Sequence, residues 1–228
     1  MSFQSYGQNE TLISSIRNII KVDFHLCFKS AFFFNGFIKL IFYQDYPFES
    51  IFKEFLQNAD DAGATRYHVI VDARSHPTDS LFYDEMKAWQ GPAILIFNNA
   101  KFKETDFESL MQIRVGGKQG DDTKIGKHGI GFNSCYHFTD VPSFISGDSF
   151  AFLDPQEKYL SQRGIRGLIP NNGIDGFSNK DQLVPFEGIE GIDFRSTFEG
   201  TLFRLPLRKE SSDISDSIFT TDKVLELL

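Results

Sequence analysis

Strand-like and helix-like patterns follow one another in this chain without regular β-α-β alternation, and this limits the fold more than any single motif does. Phe48–Ala62 (FESIFKEFLQNADDA) reads as a helix with Ile51, Phe52, Phe55 and Leu56 on its apolar face, and Gly63 as its stop. Tyr67–Asp72 (YHVIVD) alternates as a strand, whereas Ala93–Phe97 (AILIF) is apolar throughout and reads as a second strand. A helix is expected over Glu104–Ile113, then a glycine-rich stretch from Val115 to Gly131, then a helix around Phe132–Phe138. Phe144–Ile145, Ser149–Leu153, Gly167–Ile169 and Thr201–Leu207 are strand candidates between Gly, Pro, Asn and Asp turns, and Thr221–Leu228 looks helical. Trp89, beside Gly91-Pro92, is expected to anchor a turn or pack on the sheet. The pattern argues for an α+β fold, a two-layer α/β sandwich.

The N-terminal fifth is less orderly. Ser5–Ile20 places Leu12, Ile13, Ile16, Ile19 and Ile20 at helical spacing, so residues 1–20 are expected to supply a first helix. Of 26 phenylalanines, 7 then fall within the 23 residues of Val22–Gln44. That segment follows neither a period of 3.6 nor one of 2. His25, Lys29, Asn35 and Lys39 interrupt it too often for a membrane span, which needs about 20 predominantly apolar residues. Two origins stand side by side for residues 21–44: a genuine insertion, or a translated intron. Valine codons begin with GT, the phenylalanines imply a T-rich tract, Tyr43-Gln44 can be encoded by an acceptor sequence, and 23 codons keep frame.

Charge and cysteine count exclude several classes. With 31 acidic and 23 basic residues the net charge is −8, so the basic footprint of phosphate-backbone binding is missing and no nucleic-acid partner is expected. Cys27 and Cys135 are the 2 cysteines, without a CxxC or Cys/His cluster, which points to no disulfide framework or zinc site and to a reducing, intracellular compartment. The start, MSFQSYGQNE, does not read as a secretory signal.

Four short segments carry candidate chemistry. Glu54, Asn58 and Asp61 lie at i, i+4 and i+7 on the first well-defined helix, so two carboxylates and an amide share one stripe. A carboxylate can take a proton from water while an amide oxygen ligates Mg²⁺; an exposed polar helix face is the ordinary alternative. Gly126, Gly129 and Gly131 form G-x-x-G-x-G at the entry to a helix, where unhindered backbone N–H groups suit phosphate oxygens. The spacing is neither a dinucleotide fingerprint nor a P-loop. Phe97-Asn98-Asn99-Ala100 ends the apolar strand, and Gly200-Thr201 opens the last one. Arg114, Lys118 and Lys124 surround the glycine stretch as phosphate-neutralising candidates or ordinary loop charges, and His128 and His137 read as structural.

In this order the segments resemble the GHKL ATPases, which include gyrase, heat-shock protein 90 chaperones, histidine kinases and mismatch-repair MutL proteins. The wording is most similar to the sacsin-type (Nov) domain: FLQNADDAGAT, KIGKHGIGFNSCYHFTDVPSFISGD and GTLFRLPLR. The resemblance covers Tyr6–Ile20 and Asp45–Leu228 and implies a Bergerat ATP-binding fold, with helices on one face of a mixed, mostly antiparallel sheet. It implies residues 45–208 as the ATP-binding domain and 209–228 as a linker and helix start. ATP and Mg²⁺ are the implied ligands. Glu54 matches the general base, Asn58 the Mg²⁺ ligand and Asp61 a supporting carboxylate. Gly126, Lys127, Gly129, Ile130, Gly131 and Phe132 match the phosphate cradle, and Thr201 a threonine that helps hold adenine. Asn98 departs from the wider superfamily, which carries an aspartate at the adenine amino group; an amide still offers one acceptor and one donor, at lower affinity than a carboxylate.

The implied function is that of an ATP/Mg²⁺-binding, slowly hydrolysing domain of a sacsin-like chaperone or co-chaperone-type protein, with client proteins or other chaperones as partners and a cytoplasmic location. The alternatives are a nucleotide-binding interaction module without turnover and, further off, a DNA-topology or mismatch-repair ATPase. Transcript sequencing across Lys21–Asp45 tests the origin of the Phe-rich segment: excision from some mature messages is expected of an intron, and uniform retention defeats it.

Overall fold

The computed structural model describes residues 4–5, 50–111, 130–170 and 172–228. The expected first helix, apart from its first residue Ser5, and the Phe-rich segment lie outside them. Gln4–Ser5 forms a short strand, β1. Helix α1 spans Ser50–Asp61, β2 Tyr67–Asp72 and β3 Ala93–Asn98. Helix α2 runs Glu104–Met111 and the short α3 Ile130–Asn133, continued by a 3-10 turn at Ser134–His137. Strands β4 Ser143–Gly147, β5 Ser149–Leu153, β6 Gly164–Leu168 and β7 Phe198–Pro206 follow, then helix α4 at Thr221–Leu225.

The strands make one sheet in the order β1-β6-β5-β4-β7-β3-β2. Every pairing among the described strands is antiparallel, so the α+β class holds, while the expected mixture of parallel and antiparallel pairs is not seen there. The register expected for β6 moves upstream: Gly167–Ile169 becomes Gly164–Leu168. Pairing with β5, from Leu153↔Gly164 to Ser149↔Leu168, sets those bounds where local composition could not. Gly167 lies against the Phe150 ring, which an added Cβ would meet at 2.5 Å.

Alternation along the strands sorts their side chains onto two faces. Ile94, Ile96, Phe144, Ala151, Phe203 and Leu205 face one core, shared with Ile51 and Phe55 of α1, Phe107 and Leu110 of α2, and Val224 of α4. The apolar stripe of α1 is Ile51, Phe55 and Ala59, at most 3 % exposed, with Phe52 half-buried. Leu56, expected on that stripe, is 50 % exposed because the contact follows the i, i+4, i+8 row.

The opposite face is not left to solvent. Leu95, Phe97, Ile145, Phe150, Phe152 and Leu202 pack there beneath Met86, Trp89, Leu183 and Phe186. The last two come from a run of 3-10 turns, Lys180–Gln182, Val184–Phe186 and Ile189–Gly191. The described α-helices do keep to one face, as expected, but this irregular layer makes the sheet a filling between two covers. Trp89 meets Tyr159 edge-on at 5.1 Å, which settles its role as packing.

Helix α1 ends where Gly63 takes φ +76°, with Gly63 N–H donating to Asp60 O at 2.8 Å and Ala64 N–H to Ala59 O at 2.9 Å. These two bonds make the Schellman arrangement, which needs a left-handed residue and so favours glycine. At the far end of the sheet, Arg208 is 2 % and Asp140 1 % exposed. Arg208 Nε donates to Asp140 Oδ1 at 2.8 Å, and its Nη atoms donate to the carbonyls of Tyr136, His137 and Ser217. This ion pair ties the turn after α3 to the chain leaving β7. Asp140→Ala strands a buried guanidinium and is expected to cost about 3–5 kcal/mol of stability, read by urea denaturation.

Candidate functional site

The end of the apolar strand carries polar side chains on the helix-facing side, where apolar ones would be expected. Asn98 pairs with Thr201 of β7, Thr201 with Ser146 of β4, and Ser146 with Ser149 of β5. All four share the parity of the helix-facing residues on their strands, so they form one row across four strands. Their exposures are 6, 0, 3 and 8 %. Buried polar groups in a row next to a helix layer need partners, and three of these have them.

Phe102 N–H donates to Ser146 Oγ at 2.8 Å, Ser146 Oγ lies 2.7 Å from Thr201 Oγ1, and Thr201 Oγ1 donates to Ala100 O at 2.8 Å. Because Thr201 has one hydroxyl hydrogen and gives it to Ala100, Ser146 must be the donor between the two hydroxyls. Asn98 Oδ1 accepts from Ala100 N–H at 2.9 Å. This bond requires an acceptor there, so it fixes the amide with nitrogen on the other side. Asn98 Nδ2 has no partner among the described residues.

Asn99 turns the other way. Its Oδ1 accepts from the N–H groups of Thr65 and Arg66, both at 2.8 Å, and its Nδ2 donates to Thr65 Oγ1 at 3.0 Å. The loop after α1 is thereby pinned to the end of β3. From the other side, Tyr67 donates its hydroxyl to Phe52 O at 3.1 Å, and burial pushes its phenol well above the usual range.

Helix α1 is seated against this end of the sheet by rings. Phe55 meets Phe203 edge-on at 4.9 Å and Phe132 at 6.0 Å, and Phe132 lies 6.0 Å from Phe203. Phe203 stands two residues from Thr201, about 6.8 Å along the strand. Glu54 and Asn58 flank Phe55 on α1 and are half-buried; Asp61, at its last position, is exposed. Neither Glu54 nor Asn58 has a side-chain hydrogen bond among the described residues. The ring triad therefore brings together α1 with Glu54 and Asn58, α3, and the strands bearing Asn98 and Thr201.

Phe132 contributes its ring to the core, and Ile130 and Gly131 open α3. Gly126, Lys127 and Gly129 lie outside the described residues. Helix α2 is held down by Phe107, over which the Arg166 guanidinium sits at 3.9 Å while pairing with Glu104. Hydrogen bonding from Arg166 holds the Glu104 carboxyl below its ordinary range. Ser146 was not singled out by sequence, and Asn99 was read there only as part of the strand-end segment, without a role. Ser146 breaks an apolar strand on its helix-facing parity, a signal that register alone makes legible.

An antiparallel α+β domain with this buried polar row at the end of its central strands is the class that the geometry defines. The Sacsin domain family matches residues 35–228, and the chain belongs to that family. The match begins inside the Phe-rich stretch. Human (Homo sapiens) Sacsin is 38 % identical over 183 residues, covering 78 % of this chain. The chain spans 4 % of that relative's length. No described helix is long and apolar enough to cross a membrane.

Thr201→Val keeps the shape but leaves Ala100 O and Ser146 Oγ without their partner. It is expected to cost about 1–3 kcal/mol in denaturant unfolding, with Thr201→Ser recovering most of the loss.

Proposed function

We propose that this domain binds Mg·ATP and hydrolyses it slowly, as a GHKL-type, heat-shock protein 90-like ATPase module with the Bergerat arrangement. The observation that carries the reading is the buried Asn98–Thr201–Ser146 row beside the helix that presents Glu54 and Asn58. Asn98 and Thr201 would hold the base. Gly126, Lys127, Gly129, Ile130, Gly131 and Phe132 would supply the phosphate cradle, whose last backbone N–H groups belong to the start of α3.

Asn58 fits a magnesium ligand, because its amide is half-buried, unpartnered among the described residues and offers a hard oxygen. One protein ligand suits this ion, which keeps waters and substrate phosphates as its other ligands; no cluster of three metal-binding side chains occurs among the described residues. Bound with the nucleotide, Mg²⁺ supplies neutralisation of phosphate charge. Glu54, one residue before the Phe55 anchor, accepts the proton of the attacking water. Asp61 supports the nucleotide site from the end of the same helix. Thr201 keeps the base end dry and fixed through its bonds to Ala100 and Ser146.

The same reading makes the chain part of a chaperone or co-chaperone-type protein that works on client proteins in the cytoplasm. The buried free thiol of Cys135 accords with a reducing compartment.

Titration of the wild type and Glu54→Ala with Mg·ATP, followed by steady-state turnover, tests the proposal. Both proteins are expected to bind equally, and Glu54→Ala to lose about 10²–10⁴-fold in turnover. Binding by both without hydrolysis by either selects an interaction module that uses nucleotide as a ligand. A wild type that does not bind Mg·ATP overturns the nucleotide reading.

A further inference from the structure

Asn99 joins the end of the apolar strand to the loop that leaves α1, and it does so with four hydrogen bonds to two residues. Its backbone N–H donates to Arg66 O at 3.3 Å. Its Oδ1 accepts from Thr65 N–H and Arg66 N–H, both at 2.8 Å, and its Nδ2 donates to Thr65 Oγ1 at 3.0 Å. Tyr67 stands opposite Asn98 in the sheet, so these bonds carry the pairing of β2 with β3 one step past its end. The loop passes the constraint to the helix with little slack. Three residues separate Asp61 from Thr65, and each is bonded back to α1: Ala62 N–H donates to Asn58 O at 3.1 Å, Gly63 N–H to Asp60 O at 2.8 Å and Ala64 N–H to Ala59 O at 2.9 Å. The packing of Phe55 on Phe203 presses α1 onto the sheet, but apolar contact is non-directional and sets no firm stop along the helix axis. The Asn99 bonds supply that stop.

We propose that Asn99 is a positioning residue for the hydrolytic step: it sets how far α1 stands along the sheet, and so where Glu54 and Asn58 sit relative to a base held at Asn98 and Thr201. The inference rests on the nucleotide reading above. Asn98 and Asn99 are chain neighbours, so one strand end holds the base with one amide and the helix of Glu54 with the next. Glu54 and Asn58 have no side-chain hydrogen bond among the described residues that would correct a shift of their helix. Proton transfer to Glu54 needs hydrogen-bond reach of the attacking water, and a displacement of about 1 Å arising far from the chemistry can cost roughly 10²-fold in rate. The base end is insulated from such a shift, because the bonds of Asn98, Thr201 and Ser146 run to one another and to the Ala100–Phe102 backbone and not to α1. Loss of the Asn99 bonds therefore falls on turnover before it falls on binding.

Steady-state turnover and equilibrium titration with Mg·ATP test this on the wild type, Asn99→Ala, Asn99→Asp and Asn99→Gln, with the folded fraction at the assay temperature read from denaturant unfolding. Asn99→Ala is expected to lower kcat by roughly 10–10²-fold and to change the Kd for Mg·ATP by less than about threefold. Asn99→Asp keeps an oxygen for both N–H groups, accepts the Thr65 hydroxyl in place of the lost donor, and is expected to bring kcat back to within about threefold of wild type. Asn99→Gln keeps the donor and the acceptor but sets the loop one methylene further out, and is expected to lower kcat about tenfold while remaining folded. Should Asn99→Ala fail to fold, the contrast between Asn99→Gln and Asn99→Asp decides. The proposal is overturned, with the nucleotide reading intact, by a folded Asn99→Ala that keeps wild-type kcat, by a loss of affinity as large as the loss of kcat, or by an Asn99→Asp no faster than Asn99→Gln. A wild type that binds Mg·ATP without turnover also overturns it, and one that does not bind Mg·ATP removes both readings.

Discussion

The mutual register of β3, β7 and β4 is the constraint on which the rest of the structure depends. Asn98, Thr201 and Ser146 stand opposite one another because Ile96 faces Phe203 and Phe203 faces Phe144 one pleat further in. A slip of one residue would move each polar side chain to the other face of the sheet, among Phe97, Leu202 and Ile145. It would also put Phe203 out of reach of Phe55 and Phe132. The apolar rows thus fix the polar one. Burying Asn98, Thr201 and Ser146 is tolerable because their hydrogen bonds run to one another and to the Ala100–Phe102 backbone, which leaves the carboxamide nitrogen of Asn98 as the group without an internal partner among the described residues.

The helix layer depends on the same register. Helix α1 reaches the sheet through Phe55, which packs on Phe203, and through the Asn99 bonds that hold the loop after Gly63. The first contact lies midway along α1 and the second just beyond its C-terminal end. They fix both the rotation of the helix and its position along the sheet, so Glu54 and Asn58 are set by packing and not by their own bonds. On the far face, the 3-10 layer buries Phe97, Phe150 and Phe152. Both covers are rich in phenylalanine, which accounts for much of the aromatic excess outside the Phe-rich segment.

Much of the fold was legible from local pattern. The helix around Phe55, the alternation of Tyr67–Asp72 and the unbroken run Ala93–Phe97 correspond to elements within a residue or two, because burial of a face imposes its period directly on the sequence. The bounds of β6 were not legible, since pairing with β5 sets them. The 3-10 layer escaped for a related reason: its buried residues, such as Leu183, Phe186 and Ile192, follow no regular period. Of the candidate site, the Glu54–Asn58 stripe and the residues Asn98 and Thr201 were visible as separate segments. Ser146 was not, and Asn99 was seen only as the second member of a strand-end pair, because a serine in a strand and the role of a neighbouring asparagine are not readable until their neighbours are known.

The sequence by itself determined the class of fold, the order of its elements, the family and the residue types offered to a ligand. Helical and strand periods, glycine stops and long ordered motifs are properties of neighbouring residues, and they need no tertiary contact to be read. The tertiary structure alone decided that Asn98, Thr201 and Ser146 form one buried row beneath the helix of Glu54 and Asn58, and which of their polar atoms remain unspent. The reason is physical. A hydrogen bond between strands joins residues about 50 to 100 positions apart, and whether an amide shows its oxygen or its nitrogen depends on a backbone N–H that the surrounding packing puts within 2.9 Å.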